Sequence, residues 1–505
     1  MKLLVVCLAF AVIVMASPAL ADDPTKPPWA TDLQLYLEQA AEALAVPGAA
    51  VVVVTSDGAT VLTHGVRCVG RSELVTAQTS FGLGSLTKAF TATAAAALVA
   101  DGVLGWDTQA HDLIPELALA DPVATERLTL RDLLAHRSGL ASHNSVLLNV
   151  DGSPAWILPR LAGIEPTSEF RDRFLYSDLG YVLAGEMIGR AAGSSWSSVV
   201  SERLLGPLGM TSATIGVPPG STAEIACGHR RWQERMTSLA PLSLSAGAAG
   251  NGLYANGEDM VRWLAFLLGA GELDGRQLVA QTALAATWTA QVAIRSTPPE
   301  LHAYGFGWYL SAWRGRPAGS HQGGGVGFTS QVLVLPTEDI AVAVLSNRMA
   351  SGLPDLVASR AVELVLGEAQ DELLERAAQM TSRIDAYRTA AAESIRSERD
   401  PDAPPSLAID AYAGCYEHPV LGGIEVEATG PVLAASFHRI ALSVEHLADD
   451  RFVMSSPYTD DLVATFNVAD DTASSVSVTL EAPPPGRVFT RVGASCSAQP
   501  TAAAD

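Results

Sequence analysis

The chain has 505 residues, too many for one ordinary core, so two or more structural units are expected. Apolar residues make up 48% and charged residues 17%, which fits a packed globular protein and excludes a disordered one. The formal charge of -22, from 32 basic and 54 acidic side chains, repels phosphate backbones; it argues against a nucleic-acid partner and favours solubility.

Residues 1–21 read as an export signal. Lys2 gives the positive start, residues 3–15 form an apolar run too short to span a bilayer, and Ala19-Leu20-Ala21 is a small-x-small cleavage site before Asp22. An uncleaved anchor is the alternative. On the first reading the chain is exported to the periplasm or beyond, and its only membrane contact is through the signal. Removing the signal takes Cys7 and leaves Cys68, Cys227, Cys415 and Cys496, which allow three pairings in an oxidising compartment. Cys415 and Cys496 bracket the last segment and are the favoured pair; free buried thiols are the alternative. No cysteine-histidine spacing suggests zinc, and no cofactor or metal is expected.

Residues 22–30 are a Pro-rich tail, and a helical pattern follows over 32–44. Residues 49–55 and 60–68 are β-branched runs around Ser56-Asp57-Gly58, a hairpin signal. A long, mainly helical stretch leads to a second hairpin, 328–335 and 340–345, around Pro336-Thr337-Glu338-Asp339. A helix over 354–366 carries its proline in the first turn, where it is tolerated. Strands at both ends with helices between them predict one α+β unit over 31–367, with a sheet drawing on both ends of the sequence. Residues 368–406 read as a helical linker ending in a Pro-rich break. From 407 to 495 short strands recur, at 424–428, 432–437, 440–444, 452–455, 462–468, 475–480 and 488–492, as in a small all-β sandwich or barrel. Residues 496–505 are a tail.

Only three lysines occur: Lys2, Lys26 and Lys88. The first leaves with the signal and the second lies in the tail, so Lys88 is the one lysine of the folded body. Arginine cannot give up its proton in a protein, whereas a buried lysine can, so a site needing a deprotonatable amine must keep lysine. Ser85 stands three residues earlier. The segment from Lys88 to Ala100 is alanine-rich and otherwise uncharged, the pattern of a helix buried on all sides. Ser85 in its first turn and Lys88 one turn on would share a face, and burial would lower the lysine pKa toward a useful base. The alternative is a plain helix cap and an ion-pair partner.

Ser85-Leu86-Thr87-Lys88 is the first motif of the serine β-lactamase-related hydrolases, which the chain resembles over roughly residues 30 to 366. These include class C β-lactamases, DD-carboxypeptidases, family VIII esterases and D-aminopeptidases. The second motif, normally Tyr-x-Asn, is Tyr176-Ser177-Asp178 here; the third is His321-Gln322-Gly323-Gly324. The stretch from Leu128 to Leu140, Pro207-Leu208-Gly209-Met210 and Tyr304-Gly305-Phe306-Gly307-Trp308 resemble further blocks in the family's order. Residues 407–492, opening with Ala413-Gly414-Cys415-Tyr416-Glu417, resemble a β-rich domain often attached to the family.

The resemblance implies an antiparallel sheet flanked by helices and an acyl-enzyme mechanism. Ser85 is then the nucleophile, and Lys88 and Tyr176 share the proton work. The N–H groups of Ser85 and Gly324 form the oxyanion hole, Gly323 lets substrate approach the strand, and His321 orients the base network or the substrate. A structural histidine is the alternative for His321, and packing is the expected role of His136. Tyr254, Tyr304 and Trp308 line the cleft or fill the core. Asp178 departs from the family: an ionised carboxylate only accepts, so it loses a donor toward substrate and tends to raise the lysine pKa. The substrate is a small-molecule or peptide acyl compound, with ester or D-amino-acid substrates ranked above β-lactams. D-aminopeptidase, DD-carboxypeptidase or β-lactamase action on the same site stands as an alternative, and a non-catalytic binding protein of the same fold as another.

Overall fold

The computed structural model describes residues 27–140, 154–217, 224–242, 247–294, 302–368, 373–438, 440–480 and 486–496. The expected signal and most of the Pro-rich tail lie outside them, as does the C-terminal tail beyond Cys496. Helix α1 (Pro28–Ala43) leads into strands β1 (Gly48–Thr55) and β2 (Gly58–Gly65), which pair antiparallel with Thr55 opposite Gly58. Then come helices α2 (Thr87–Ala100), α3 (Asp178–Ala192) and α4 (Gly257–Leu268). Strands β3 (Val292–Ile294), β4 (His302–Tyr304), β5 (Tyr309–Trp313), β6 (Arg316–Gly325), β7 (Phe328–Leu335) and β8 (Ile340–Ser346) follow, then helix α5 (Leu353–Leu366).

The eight strands make one antiparallel sheet in the order β3-β4-β5-β6-β7-β8-β1-β2. β8 pairs with β1, Ala49 opposite Ser346, so the two ends of the domain sequence meet inside the sheet, one strand from its edge. Period-2 alternation sends successive side chains to opposite faces. Ala50, Val52 and Val54 join the core that holds α2, α3 and α4, while Val51 and Val53 pack with Leu33 and Leu37 of α1 and Val357 and Val362 of α5. Both faces are covered, so β1 and β8 are apolar throughout rather than alternating.

Two departures from expectation have local causes. The second strand ends at Gly65 rather than Cys68, because Cys68 turns away into a disulfide with Cys227. Strands β3 to β6 fall where no strand is expected: three are five residues or shorter, and β6 carries four glycines, which have low strand propensity.

Helix α6 (Leu373–Ser397) is packed rather than a free linker. Arg348 of the first domain reaches its Asp385 at 2.6 Å, and its Arg396 reaches Asp461 of the last domain at 2.9 Å. The C-terminal unit is a closed antiparallel barrel of eight strands: β9 (Gly414–His418), β10 (Gly422–Thr429), β11 (Val432–Phe437), β12 (Ile440–Ala448), β13 (Arg451–Ser455), β14 (Leu462–Ala469), β15 (Thr472–Val478) and β16 (Arg487–Gly493). β16 closes on β9, with Tyr416 opposite Arg491, and a Cys415–Cys496 disulfide ties that seam. Tyr416, Phe437, Phe452, Phe466 and Phe489 fill the interior. Among the described residues the barrel meets the first domain through Tyr458, whose hydroxyl accepts from Ala240 N at 3.0 Å and donates to its carbonyl at 3.2 Å, through an ion pair of Arg230 with Asp460, and through His438, which meets Trp156 edge-on at 5.9 Å.

Candidate active site

Ser85 lies in a single 3-10 turn, Gly84–Leu86, that runs straight into α2, and so just ahead of the helix rather than in its first turn. Gly84 makes the turn: its φ of 53° suits glycine, and a Cβ there would stand 2.6 Å from the Gly324 carbonyl oxygen. The turn is clamped to the sheet, because Ser330 Oγ on β7 donates to Leu83 O at 2.8 Å. Behind it α2 is buried along its length, with Thr91 donating to Ala249 O at 2.6 Å and Gly307 packed against the backbone of Lys88. The Gly305-Phe306-Gly307-Trp308 block thus matters for close packing on this helix.

Lys88 Nζ is fully buried and its three protons have three acceptors: Ser85 Oγ at 3.0 Å, Asp178 Oδ1 at 2.5 Å and Gly250 O at 3.1 Å. Burial is the largest single influence and favours the neutral amine. The carboxylate of Asp178, with Tyr176 beside it, overcomes burial and holds Lys88 above the ordinary amine range. The expectation that burial would deliver a free amine is therefore corrected: at rest Lys88 is an ammonium ion with every donor used.

Asp178 opens α3, where Ser177 caps the helix by accepting from Gly180 N at 3.1 Å. Tyr176 precedes it, with its ring 4.9 Å from Lys88 Nζ. Burial raises the Tyr176 hydroxyl pKa; the Lys88 charge opposes this and Asp178 adds to it, so the hydroxyl stays protonated. His136 holds this segment in place, accepting from Ser177 N at 3.0 Å while its ring lies 4.3 Å from that of Tyr176. Burial, then Lys88, pushes its pKa far below the usual range, so it packs and positions as a neutral ring.

His321 on β6 is buried, and burial followed by Lys88 lowers its pKa to about 3. Its Nδ1 lies 2.6 Å from Gln322 O, so Nδ1 carries the hydrogen and Nε2 accepts from the Tyr304 hydroxyl at 2.9 Å. Ser85, Tyr176, His321 and Gly324 border one cavity of about 490 Å³. A Cβ on Gly324 would meet open space. Gly323 departs from its expected role: a Cβ there would lie 2.0 Å from Leu83 O and 2.1 Å from Ser330 Oγ, so it makes room for the serine turn rather than for substrate. Tyr254 lines a second cavity on the other side of the turn, whereas Tyr304 and Trp308 are wholly buried.

One site residue falls in no motif. Asn251 accepts from Ser85 Oγ at 2.9 Å and donates to Asp178 Oδ1 at 3.3 Å. Its only sequence signal is a polar residue between Gly250 and Gly252 in a run of small residues. Among the described residues no group of three or more His, Cys, Asp or Glu is placed to hold a metal ion, and no helix is long and apolar enough to cross a membrane.

The sequence profile of the family described as Beta-lactamase matches residues 33–367, and that of a domain of unknown function, DUF3471, matches 398–489, which covers most of the barrel. The chain is 29% identical to penicillin-binding protein 4 of Amycolatopsis lactamdurans over 60% of its own length and 81% of that protein. It is 26% identical to the unguisins hydrolase ungD of Aspergillus violaceofuscus over 86% of its length and 84% of that protein. The structure of the octameric penicillin-binding protein homologue from Pyrococcus abyssi shares its fold, with a TM-score of 0.60 at 22% identity over 91% of this chain and 100% of that one. With a profile match across most of the chain and a serine-lysine pair buried at the start of its central helix, the protein belongs to the beta-lactamase family and is a serine hydrolase.

Proposed function

We propose that Ser85 is the nucleophile of an acyl-enzyme mechanism, that the Lys88–Asp178 pair manages its proton, and that Tyr176 serves the leaving group, with a neutral ester or amide as substrate. The observation that carries this is the continuous contact from Ser85 Oγ through Lys88 Nζ to Asp178, beside a cavity.

In this reading Lys88 first passes a proton to Asp178 across their 2.5 Å contact. The freed amine takes the Ser85 proton as Oγ bonds to the acyl carbon, and the carbonyl electron pair moves to its oxygen, facing the N–H groups of Ser85 and Gly324. Collapse breaks the bond to the leaving group, which takes the Tyr176 proton. Lys88 replaces that proton and recovers its own from Asp178. Water then repeats the sequence to release the acid.

The substrate preference rests on charge. β-Lactams and D-alanyl peptides carry a carboxylate that a binding site must neutralise. Among the described residues lining the two cavities flanking Ser85, Arg190 is the one permanent cation, and it is engaged by Glu116 and Glu186. A neutral His321 adds no cation. An exported site of action belongs to this reading through residues 1–21, and the name of one relative, a hydrolase, is in keeping with it.

The test is hydrolysis of 4-nitrophenyl acetate and butyrate beside a chromogenic cephalosporin and a D-alanyl-D-alanine peptide. Ester turnover above the other two, and at least about 10³-fold lower in Ser85→Ala, is expected. Equal turnover in Ser85→Ala contradicts the nucleophile, and faster cephalosporin or peptide turnover contradicts the substrate class.

A further inference from the structure

Asn251 ends a single helical turn, Ala248–Asn251, and is half-buried. The orientation of its amide is decided by its neighbour. Asp178 Oδ1 can only accept, so the NH₂ faces Asp178 and the carbonyl oxygen takes the Ser85 hydroxyl hydrogen. An amide nitrogen carries two hydrogens, and the described protein gives this one a single acceptor.

Beyond Asn251 lies the second cavity, about 350 Å³, which also reaches Gly84 next to Ser85. Val182, Trp196, Ile215, Leu242, Tyr254 and Phe328 contribute apolar walls. That volume is at the small end for ligand sites and has room for a branched or aromatic side chain. An N–H donor on the wall of a largely apolar recess, whose polar lining includes Glu186 and Arg190, and beside the attacking oxygen, is a recognition element with two parts.

We propose that Asn251 and this cavity form the acyl-side subsite, built for a peptide-like acyl group. The apolar side chain of the substrate enters the recess, and an amide carbonyl on the carbon next to the scissile carbonyl accepts the second N–H of Asn251. The work of the one asparagine in the family's second motif is then divided: Asp178 holds the lysine, and Asn251, from a distant segment, meets the substrate. The substrate class becomes a neutral N-acylated amino acid or peptide, joined through an ester or amide. The inference rests on Ser85 as the nucleophile.

The experiment compares 4-nitrophenyl esters of N-acetylleucine, each enantiomer, with the ester of 4-methylpentanoic acid, which keeps the side chain and lacks the acetamido group. The readout is the ratio of kcat/KM between the two. The wild type is expected to prefer one acetamido ester by about tenfold or more, because a polar site left unpaired penalises the plain ester. Asn251→Ala and Asn251→Leu are expected to bring the ratio to within about twofold of unity, whatever their absolute rates. No preference in the wild type, or a preference that survives both substitutions, overturns the subsite. The wild-type ratio needs no variant to fold, and thermal midpoints identify a variant that does not. Failure of the underlying reading is separate: Ser85→Ala would then hydrolyse both esters at the wild-type rate.

Discussion

At Asp178 an oxygen stands where the family's second motif carries an amide nitrogen, and the consequence runs through Lys88. A carboxylate 2.5 Å from a buried ammonium makes an ion pair that holds the proton on the lysine. In the proposed mechanism activity then depends on the pair passing a proton internally. Asp178→Asn removes the carboxylate and leaves burial to act on Lys88, whose pKa falls. Activity in the variant requires the neutral amine, so the acid limb of kcat/KM is expected to move to higher pH than in the wild type, measured from about pH 5 to about pH 10. An acid limb that stays in place contradicts the pair as the proton store. That Ser85, Lys88, Tyr176 and Asp178 lie together was legible because each motif is compact in sequence. Asn251 was not, because it meets Ser85 across 166 residues of chain and its Gly-Asn-Gly setting reads as an ordinary turn.

At the scale of elements, the site depends on how closely β6 approaches the serine turn. Gly323 and Gly324 are neighbours with opposite surroundings, one pressed on Leu83 O and Ser330 Oγ, the other facing open space. Gly323→Ala must push the strand off the turn, at a cost of about 1–3 kcal/mol for forced overpacking. A lower thermal midpoint and slower phosphonate labelling of the serine are expected. Gly324→Ala should fold with an unchanged midpoint, so any change it makes appears in KM. The hairpins β1–β2 and β7–β8 were readable from β-branched runs around turn residues. Strands β3 to β5 were hidden by their shortness, and β6 because it needs glycine for contact with the turn, a need that removes the side chains by which strands are recognised. The Gly323 role was misread for the same reason: a glycine in a motif gives no sign of which neighbour requires it.

For the whole molecule, folding holds several histidines neutral. Burial lowers His438 to about 4, burial with Lys88 lowers His321 to about 3, and His136 is far below its usual range. In the unfolded chain these rings titrate near pH 6.5. As pH falls below that value the unfolded state binds protons the folded state refuses, so stability is lost progressively toward pH 4, by at most about 3 kcal/mol for His438. A thermal midpoint that drops between pH 7 and pH 4.5, and drops less in His438→Asn, is the expected result. The barrel was legible as short, evenly spaced strands, but not its closure or its contacts. Tyr458 on Ala240 and His438 on Trp156 join segments that are far apart in sequence. The choice between sandwich and barrel depends on β16 meeting β9, which no local pattern encodes.

The central claim is that Ser85 carries the acyl group. The most direct measurement is intact-mass and peptide-mapping spectrometry after brief reaction with a 4-nitrophenyl ester and acid quenching. An added mass equal to the acyl group, located on the peptide containing Ser85 and absent from Ser85→Ala, is the expected result. An adduct on another residue, or acyl mass that persists in Ser85→Ala, would contradict the account.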